Sequence, residues 1–377
     1  MIIKYCKKCF LPSSRPNLVV DENGVCNACS SGSLDPNWSQ RAIQFETICE
    51  ESKSRNKPYD CLIPVSGGKD STWQTLKALE YGLKPLCVTW RTPARTVLGQ
   101  KNLDNLIALG VDHFDITLNP ILDRHLTRRC FEEFGSPAIP MHAAIHFLPV
   151  NVAIKFDIPL IIWGENSAKE YGGSPDLVSL VEMTDGWYQK YSVTDNASDD
   201  IYRLASEISL ECFSASYMKP NLVRARELDI TPIFLGSFFE WDPEEMYRLS
   251  SRFGFQAASK PEVGFYSFAD IDDAFIMAVH HWMKWFKFGF TRDWDNVAQE
   301  IRRGRISRSD ARLVIHERSG REPTDAIKSF CEYTGMSRYG FDQVCEKFRS
   351  SEVWQNTGDH WEIKGFLFDD FQWEKKR

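Results

Sequence analysis

A short apolar run that ends in a glycine-rich turn most limits what this chain can fold into. Tyr59–Val65 has the composition of a buried strand, the residues Ser66, Gly67, Gly68, Lys69, Asp70 and Ser71 follow it, and Ser71–Tyr81 has helical spacing. A strand that turns through glycines into a helix is typical of phosphate binding, because free N–H groups and the helix dipole favour an anion. Such a loop predicts a parallel α/β sheet, with the ligand at the carboxyl ends of its strands.

The rest of the region from 59 to about 240 supports this prediction, because further apolar runs alternate with helical patterns. The predicted strands after the first are Pro85–Trp90, Asp112–Thr117, Pro159–Trp163 and Ile230–Leu235. The predicted helices between them are Asn102–Leu109, Leu122–Phe134 and Ala143–Phe156. We therefore expect a parallel, helix-covered sheet.

The chain of 377 residues is long enough for two or three domains. The predicted division is a cysteine-rich segment at 1–33, a connecting helix at 34–58, the sheet domain at 59–241 and a mainly helical region at 242–377. Within the last region we expect a helix over Ser267–Phe288, opened by Ser267 and Asp270 at capping-box spacing.

The N-terminal segment carries two Cys-x-x-Cys pairs. Cys6 and Cys9 precede Cys26 and Cys29, a spacing typical of a closed, structural zinc site with four thiolates. Iron–sulfur ligation by the same four residues is an alternative. The other seven of the eleven cysteines have no such spacing, and most are expected to pack as small apolar side chains.

Composition excludes some classes of protein. With 45 Lys+Arg against 52 Asp+Glu the net charge is −7, which argues against a dedicated nucleic-acid binder. No uninterrupted apolar run approaches the ~18 residues that a membrane span needs. Lys4, Lys7 and Lys8 stand where a signal peptide would be apolar. A soluble, cytoplasmic protein without membrane contact is expected.

The loop chemistry can be assigned residue by residue. Lys69 can neutralise phosphate charge, and Ser66 and Ser71 can donate hydroxyl hydrogen bonds. Asp70 would repel phosphates unless it holds a magnesium ion on their oxygens. The pattern is not a Walker A loop; it resembles the PP-loop of the ATP pyrophosphatase superfamily, whose members cleave ATP between the α and β phosphates. That resemblance implies that the end of the second strand, at Thr89 and Trp90, holds adenine largely through backbone groups. The Trp90 ring could also stack on the base, with ordinary packing as the alternative.

A second polar motif follows the predicted strand Pro159–Trp163. Gly164 permits close backbone approach, Glu165 and Asn166 would face the crevice, and Glu170 could act as a base or a magnesium ligand. Tyr171, Gly172 and Gly173 complete the motif. A solvated loop is the simpler alternative, but the carboxyl edge of the sheet favours a site.

The cysteine pairs, the Ser66–Ser71 loop and the Gly164–Gly173 motif occur in this order in one family. Together with stretches such as Thr96-x2-Gly99 and Gly304-Arg305-Ile306, they make nearly the whole chain similar to the N-acetyl sugar amidotransferases of bacterial surface-polysaccharide (lipopolysaccharide O-antigen) biosynthesis. The resemblance implies that an acetamido group of a nucleotide-linked or acidic amino sugar becomes an acetamidino group, with release of AMP and pyrophosphate.

The resemblance also implies roles for residues. Lys69 stabilises phosphate charge, Asp70 holds magnesium, and Glu165, Asn166 and Glu170 orient or deprotonate the amide and ammonia. Weaker candidates for sugar contact are Asn102, His142, Tyr171, Gly172 and Gly173. A lone histidine such as His142 is more often structural.

Ammonia needs a source that this sequence does not show. Position 2 is Ile2, and no Gly-x-Cys-x-Gly pattern surrounds a cysteine. The family works with a separate glutaminase subunit, which implies such a partner and an ammonia channel, with a cyclase-like companion subunit as a further candidate.

Two rival functions stay open on the sequence. A tRNA-modifying (thiolating) PP-loop enzyme predicts a basic face and reactive cysteines, of which Cys130 and Cys212 are the candidates. A non-enzymatic ATP-binding scaffold predicts ATP binding without pyrophosphate release.

Overall fold

The computed structural model describes residues 2–31, 37–171, 180–182, 184, 197–208, 217 and 219–373. Five parallel strands form one sheet in the order β3-β2-β1-β4-β5. They are β1 (Cys61–Pro64), β2 (Pro85–Trp90), β3 (Asp112–Ile116), β4 (Leu160–Trp163) and β5 (Thr231–Phe234). The expected parallel, helix-covered α/β sheet is thus confirmed.

Helices cover both faces of the sheet. Alternate residues of each strand enter two separate cores: Leu62 and Leu86 point to one core, and Ile63 and Cys87 to the other. The helices up to β5 are α1 (Asn27–Ser31), α2 (Trp38–Ser54), α3 (Lys69–Glu80), α4 (Val97–Ile107), α5 (Pro120–Phe134), α6 (Ile139–Phe156), α7 (Ser167–Tyr171), α8 (Ala197–Ala205) and α9 (Leu222–Glu227). Burial on both faces explains why β1, β2 and β4 are almost entirely apolar. The edge strand β3 is partly exposed and carries Asp112 and Asp115.

Further helices follow β5. They are α10 (Pro243–Ser251), α11 (Ile276–Phe288), α12 (Arg292–Arg302), α13 (Arg308–Arg318), α14 (Thr324–Thr334) and α15 (Arg338–Lys347). An antiparallel hairpin of β6 (Trp354–Asn356) and β7 (Trp361–Ile363) comes after them. The large core on one face of the sheet continues into α11, α14 and α15, so these helices share apolar contacts with the sheet domain.

The expected helix over Ser267–Phe288 is wrong in its first third. Helix α11 begins only at Ile276, and Asp270 has a φ of 52°, which a right-handed helix cannot include. The residues before α11 are instead tied to the loop after β2: Thr96 N donates to Asp272 O at 3.3 Å and Ala274 N to Ala94 O at 2.8 Å. Long-range backbone pairing has therefore replaced the capping box that the local spacing predicted.

Helix α6 is the one helix among the described residues that is long and apolar enough to span a membrane. More than half of it (56%) is buried inside the protein, and it packs on β1, β2 and β4. The sequence of α6 contains no long uninterrupted apolar run, because His142, His146 and Lys155 interrupt it. Its burial is that of a central core helix.

Strand order places both polar motifs at one point. The chain builds β1, β2 and β3 outward in one direction and then returns to place β4 on the other side of β1. A crevice opens at the carboxyl ends of two strands where the order reverses in this way. The Ser66–Ser71 loop follows β1 and the Gly164–Glu170 segment follows β4, so the two motifs flank this crevice.

Candidate active site and metal cluster

The glycine-rich loop after β1 is shaped by Gly67. Its φ is +85°, and a Cβ there would lie 2.6 Å from the backbone nitrogen of Leu103 on α4. Gly68 has an extended backbone and precedes α3 without any side-chain cap. The first N–H groups of a helix have no partner within the helix, so this uncapped N-terminus is available to an anion.

Hydroxyl groups hold the loop in shape. Ser66 Oγ accepts from Gly68 N at 3.3 Å, and Ser71 Oγ accepts from Ser66 N at 3.4 Å while donating to Gly68 O at 3.1 Å. From α10, Ser250 Oγ donates to Lys69 O at 2.9 Å. The predicted phosphate-binding residues are therefore together in one preorganised turn.

Lys69 and Asp70 lie side by side at the start of α3. Lys69 Nζ is 2.7 Å from Asp70 Oδ2 and 5.4 Å from the centre of the Phe268 ring. The other carboxylate oxygen, Asp70 Oδ1, is buried and accepts no hydrogen bond from the residues that the structure describes. A buried carboxylate oxygen without a partner beside a phosphate loop fits a Mg²⁺ ligand.

The predicted adenine end lies at the carboxyl end of β2 as expected, but the side chain of Thr89 has other partners. Thr89 Oγ1 donates to Val65 O at 2.7 Å and lies 2.8 Å from His113 Nε2. Trp90 is 8% exposed and belongs to the core, with an Nε1 that donates to none of the described residues. These contacts leave the backbone of Thr89 and Trp90, rather than the threonine hydroxyl, for a base.

The second motif follows β4 closely. A Cβ on Gly164 would lie 2.9 Å from the Trp241 ring, so the glycine makes room for that indole. Burial raises the pKa of Glu165, and the nearby charge of Asp70 raises it further. Asn166 is 2% exposed. The structure therefore brings Glu165 close to Asp70, across the crevice between β1 and β4.

Glu170 is held by arginines from the end of α12 and the residue after it. Arg302 donates to Glu170 O at 2.7 Å, and Arg303 reaches Glu170 Oε2 at 3.5 Å and Trp241 O at 2.6 Å. Lys169 donates to Gly236 O at 3.2 Å, and burial lowers its pKa. The α7 segment is thus held in place by residues at the end of α12, a long-range contact that no local sequence pattern predicts.

The weaker sugar candidates have different surroundings. Asn102 is 1% exposed, and its amide binds the backbone of Gln256 twice, each at 2.9 Å, which gives it a loop-anchoring role. His142 lies on α6 with its ring 5.6 Å from His280, and burial lowers its pKa to about 3. Tyr171 ends α7. Gly172 and Gly173 lie outside the described residues.

The four N-terminal cysteines form one buried cluster. Their sulfurs lie within 4.8 Å of one another, with 3.9 Å between Cys6 and Cys29 and 3.5 Å between Cys9 and Cys26. Four sulfurs around one zinc ion at ~2.3 Å would be about 3.8 Å apart, so the donor set fits zinc. Such close spacing suits a single ion better than a cluster of several irons.

Apolar residues of the C-terminal helices complete the surroundings of this cluster. Trp294 and Val297 of α12 and Ile315 of α13 pack in the same core as the cysteines. Arg15 Nε lies 3.0 Å from the buried Asp295 carboxylate. The short helix α1, which carries Cys29, also contacts α7 beside the crevice. The cysteine cluster therefore packs against α12 and, through α1, against α7. These two helices position Glu170 beside the crevice.

Loss of one thiolate is expected to remove the metal. For Cys9→Ser we expect loss of bound zinc and a lower melting temperature, since a structural zinc site contributes on the order of 10 kcal/mol to folding. Zinc content by atomic absorption and a thermal melt measure both effects. Cys49→Ser, at a buried thiol outside the cluster, is the control and should keep its zinc. A full equivalent of zinc in Cys9→Ser would contradict the assignment.

The remaining described thiols are poorly placed for sulfur chemistry. Burial raises the pKa of Cys61, Cys130 and Cys345, and it raises the pKa of Cys87 to about 12. A neutral buried thiol is a weak nucleophile. Cys212, the other candidate of the thiolation alternative, lies outside the described residues.

Comparison with protein families adds a second line of evidence. Residues 247–366 match the family model described as "LPS biosynthesis protein WbpG-like, C-terminal domain". The WbpG-like segment is roughly a third of the chain and includes α11 to α15. It confirms, for this part, the resemblance to a family of bacterial surface-polysaccharide biosynthesis. No curated protein matches the chain significantly.

Solved structures resemble about half of this chain, and only distantly. An NMN synthetase from Francisella tularensis matches with 14% identity and a TM-score of 0.29, over 52% of this chain and 94% of that one. An NH3-dependent NAD synthetase from Campylobacter jejuni, solved with a nitrate ion, matches with 16% identity and a TM-score of 0.30, over the same shares of the two chains.

Sequence reasoning missed the contribution of the WbpG-like segment to the crevice. The sequence patterns assign no site role to Phe268, Arg302 or Arg303, yet Phe268 lies against Lys69 and the two arginines contact Glu170. Asp270 is likewise close enough for the charge of Lys69 to lower its pKa. The run Asp270-Ile271-Asp272-Asp273 was the available signal, because acidic residues interrupt the apolar spacing that a packed helix would keep.

Proposed function

We propose that this chain is an ATP-dependent amidotransferase that converts an acetamido group of an amino sugar to an acetamidino group in lipopolysaccharide biosynthesis. The observation that carries the proposal is the crevice between β1 and β4. There the phosphate loop lies opposite the carboxylate of Glu165. The loop leads into an uncapped helix N-terminus, and Asp70 Oδ1 is left without a hydrogen-bond partner among the described residues, as suits a Mg²⁺ ligand. The match of residues 247–366 to a lipopolysaccharide-biosynthesis family supports the assignment to that pathway.

The substrate explains why ATP is required. An amide carbon is a poor electrophile, and its oxygen is a poor leaving group. In the first step the amide oxygen attacks the α-phosphorus of ATP, an O–P bond forms, and pyrophosphate departs. The loop N–H groups and Lys69 hold the pyrophosphate and stabilise its charge. Mg²⁺ bound by Asp70 would neutralise the charge on the phosphate oxygens.

In the second step ammonia adds to the activated carbon, and AMP departs with the former amide oxygen. A proton must leave the nitrogen as the new C–N bond forms. Glu165 is suited to take it, because burial and the charge of Asp70 raise its pKa toward the working range. Asn166 and Glu170 orient the amide and the incoming ammonia in this proposal.

The substrate class and the ammonia source follow from the resemblance. We propose a nucleotide-linked, N-acetylated amino sugar as substrate and a separate glutaminase subunit as the ammonia donor, with free ammonium able to replace it in vitro. Burial raises the pKa of the Cys61 and Cys130 thiols, which supports ammonia rather than sulfur as the transferred group.

The deciding experiment supplies ATP, Mg²⁺, an ammonium salt and a set of nucleotide-linked diacetamido sugars. We expect AMP and pyrophosphate in equal amounts, with a sugar product lighter by the difference between O and NH. Mass spectrometry and a pyrophosphate assay measure both. Release of ADP, or pyrophosphate release that requires tRNA instead of sugar, would overturn the proposal.

A further inference from the structure

The residues between α10 and α11 form one wall of the crevice beside the phosphate loop. Thr92 Oγ1 donates to Asp273 Oδ2 at 2.9 Å, and the neighbouring backbone pairs with Ala94 and Thr96 after β2. The Phe268 ring lies under Lys69 Nζ at 5.4 Å. Asp270 therefore lies at the carboxyl edge of the sheet, close enough for Lys69 to influence its charge.

Asp270 lies opposite His281 on α11, slightly too far away for a direct hydrogen bond. His281 Nε2 is 3.7 Å from Asp270 Oδ2, and His281 is only 4% exposed. Both ring nitrogens of His281, and Asp270 Oδ2, are buried without a hydrogen-bond partner among the residues that the structure describes. Leaving such buried groups unsatisfied is unfavourable, so a bound group is expected to satisfy them.

The backbone sets the direction of the Asp270 side chain. Its φ of 52° lies in the left-handed region, which aspartate adopts more readily than most residues. Here the backbone bonds to Ala94 and Thr96 fix the segment, and the turned residue directs its carboxylate to His281.

There is room for a ligand beside His281. The ring borders a cavity of about 190 Å³ whose charged lining includes Arg292, Arg318, Arg321 and Glu262. On the other side, His280 contacts the His142 ring at 5.6 Å, and His146 stacks on Trp163 of β4 at 5.2 Å. A row of histidines thus connects Asp270 and His281 to the end of β4, where the second motif begins.

The charges around the pair select the kind of ligand. Burial lowers the pKa of His281 to about 4, and the nearby charge of Lys284 contributes, so the ring is neutral. Burial would raise the pKa of Asp270, but the close contact with His281 and the positive charges of Arg292 and Lys69 hold the pKa below its usual range. A neutral imidazole offers one donor and one acceptor, and a carboxylate offers acceptors only. This pair of side chains therefore suits hydroxyl and amide groups.

We propose that Asp270 and His281 bind the amino-sugar half of the substrate, through hydrogen bonds to its hydroxyl and acetamido groups. This inference rests on the proposed function, because it places the sugar in the same crevice as the ATP site. The phosphate loop and Asp270–His281 then divide the crevice into a nucleotide end and a sugar end.

The test measures two affinities on the same full-length variants. Asp270→Asn and His281→Leu are titrated by calorimetry with Mg²⁺–ATP and, separately, with a UDP-linked diacetamido sugar. We expect each variant to lose about tenfold or more in sugar affinity, since buried hydrogen bonds are lost, and to keep its ATP affinity. His281→Gln, which keeps a donor and an acceptor, should recover much of the sugar affinity.

The matched control is His360→Leu. His360 Nε2 also lies 3.7 Å from a carboxylate, that of Glu362, but on the β6–β7 hairpin. It should bind both ligands as the unaltered chain does. Equal sugar affinity in Asp270→Asn, His281→Leu and the unaltered chain would overturn the inference alone. An equal loss of ATP affinity would also overturn it, since the pair would then support the phosphate loop. If the unaltered chain bound no sugar at all, the proposed function would fall as well.

Discussion

Asp70→Asn is expected to stop amidine formation while leaving the protein folded. The asparagine keeps the shape of the side chain but removes the negative charge, and with it the preferred Mg²⁺ ligand. Removing one electrostatic contact to a developing charge commonly costs about 10²–10³ in kcat, and loss of a metal ion costs at least as much. AMP production under saturating ATP, sugar and ammonium measures the effect.

Stability should change little in this variant. The Asp70 side chain is 38% exposed, and its ion pair with Lys69 joins neighbouring residues, so its loss is worth at most about 1 kcal/mol. Asp104→Asn, on the exposed face of α4, is the matched control and should turn over normally. An Asp70→Asn protein that produced AMP at the rate of the control would remove Asp70 from the mechanism.

The parts of the site that local sequence encodes could be predicted. The strand Pro85–Trp90 has the predicted bounds, and the phosphate loop lies between β1 and α3 as expected. Glycines, a helix start and an apolar strand are short-range signals, so a single stretch of sequence contains all of them. The meeting of both motifs at one crevice followed from the parallel sheet.

The parts of the site that depend on contacts between distant segments could not be predicted. The segment before α11 has helical spacing, but its pairing with Ala94 and Thr96 after β2 overrides that local preference. Likewise, the Thr89 hydroxyl contacts Val65 and His113 of neighbouring segments. No pattern within either segment encodes a partner that is many residues away.

The cysteine cluster shows the same limit. Its four ligands were evident from spacing, but the short N-terminal segment has little apolar material of its own. Its core is completed by Trp294, Val297 and Ile315 from the other end of the chain. The ligand set could therefore be predicted from residues 6–29, while the surface against which the segment packs could not.

Gly67→Ala is expected to destabilise the chain strongly and to weaken ATP binding. A left-handed φ costs an alanine about 1–2 kcal/mol, and forcing a methyl group into packed atoms typically costs about 1–3 kcal/mol more. The atoms it would meet are the backbone nitrogen and Cα of Leu103, at 2.6 and 2.7 Å, which no side-chain rotation can move. Either α4 or the loop must shift, and the loop N–H groups lose their alignment.

Gly68→Ala is the matched control, because it replaces a neighbouring glycine that has neither a left-handed φ nor a close backbone contact. Gly68 has φ −67° and ψ 164°, a conformation open to any residue, and the nearest atom to a new Cβ is Ser66 Oγ at 3.3 Å. Its free energy of unfolding should fall by no more than about 1 kcal/mol. Chemical denaturation of both variants provides the comparison, and calorimetry with Mg²⁺–ATP follows the binding site. Equal stability of the two variants would mean that the approach of Gly67 to α4 does not set the shape of the phosphate loop.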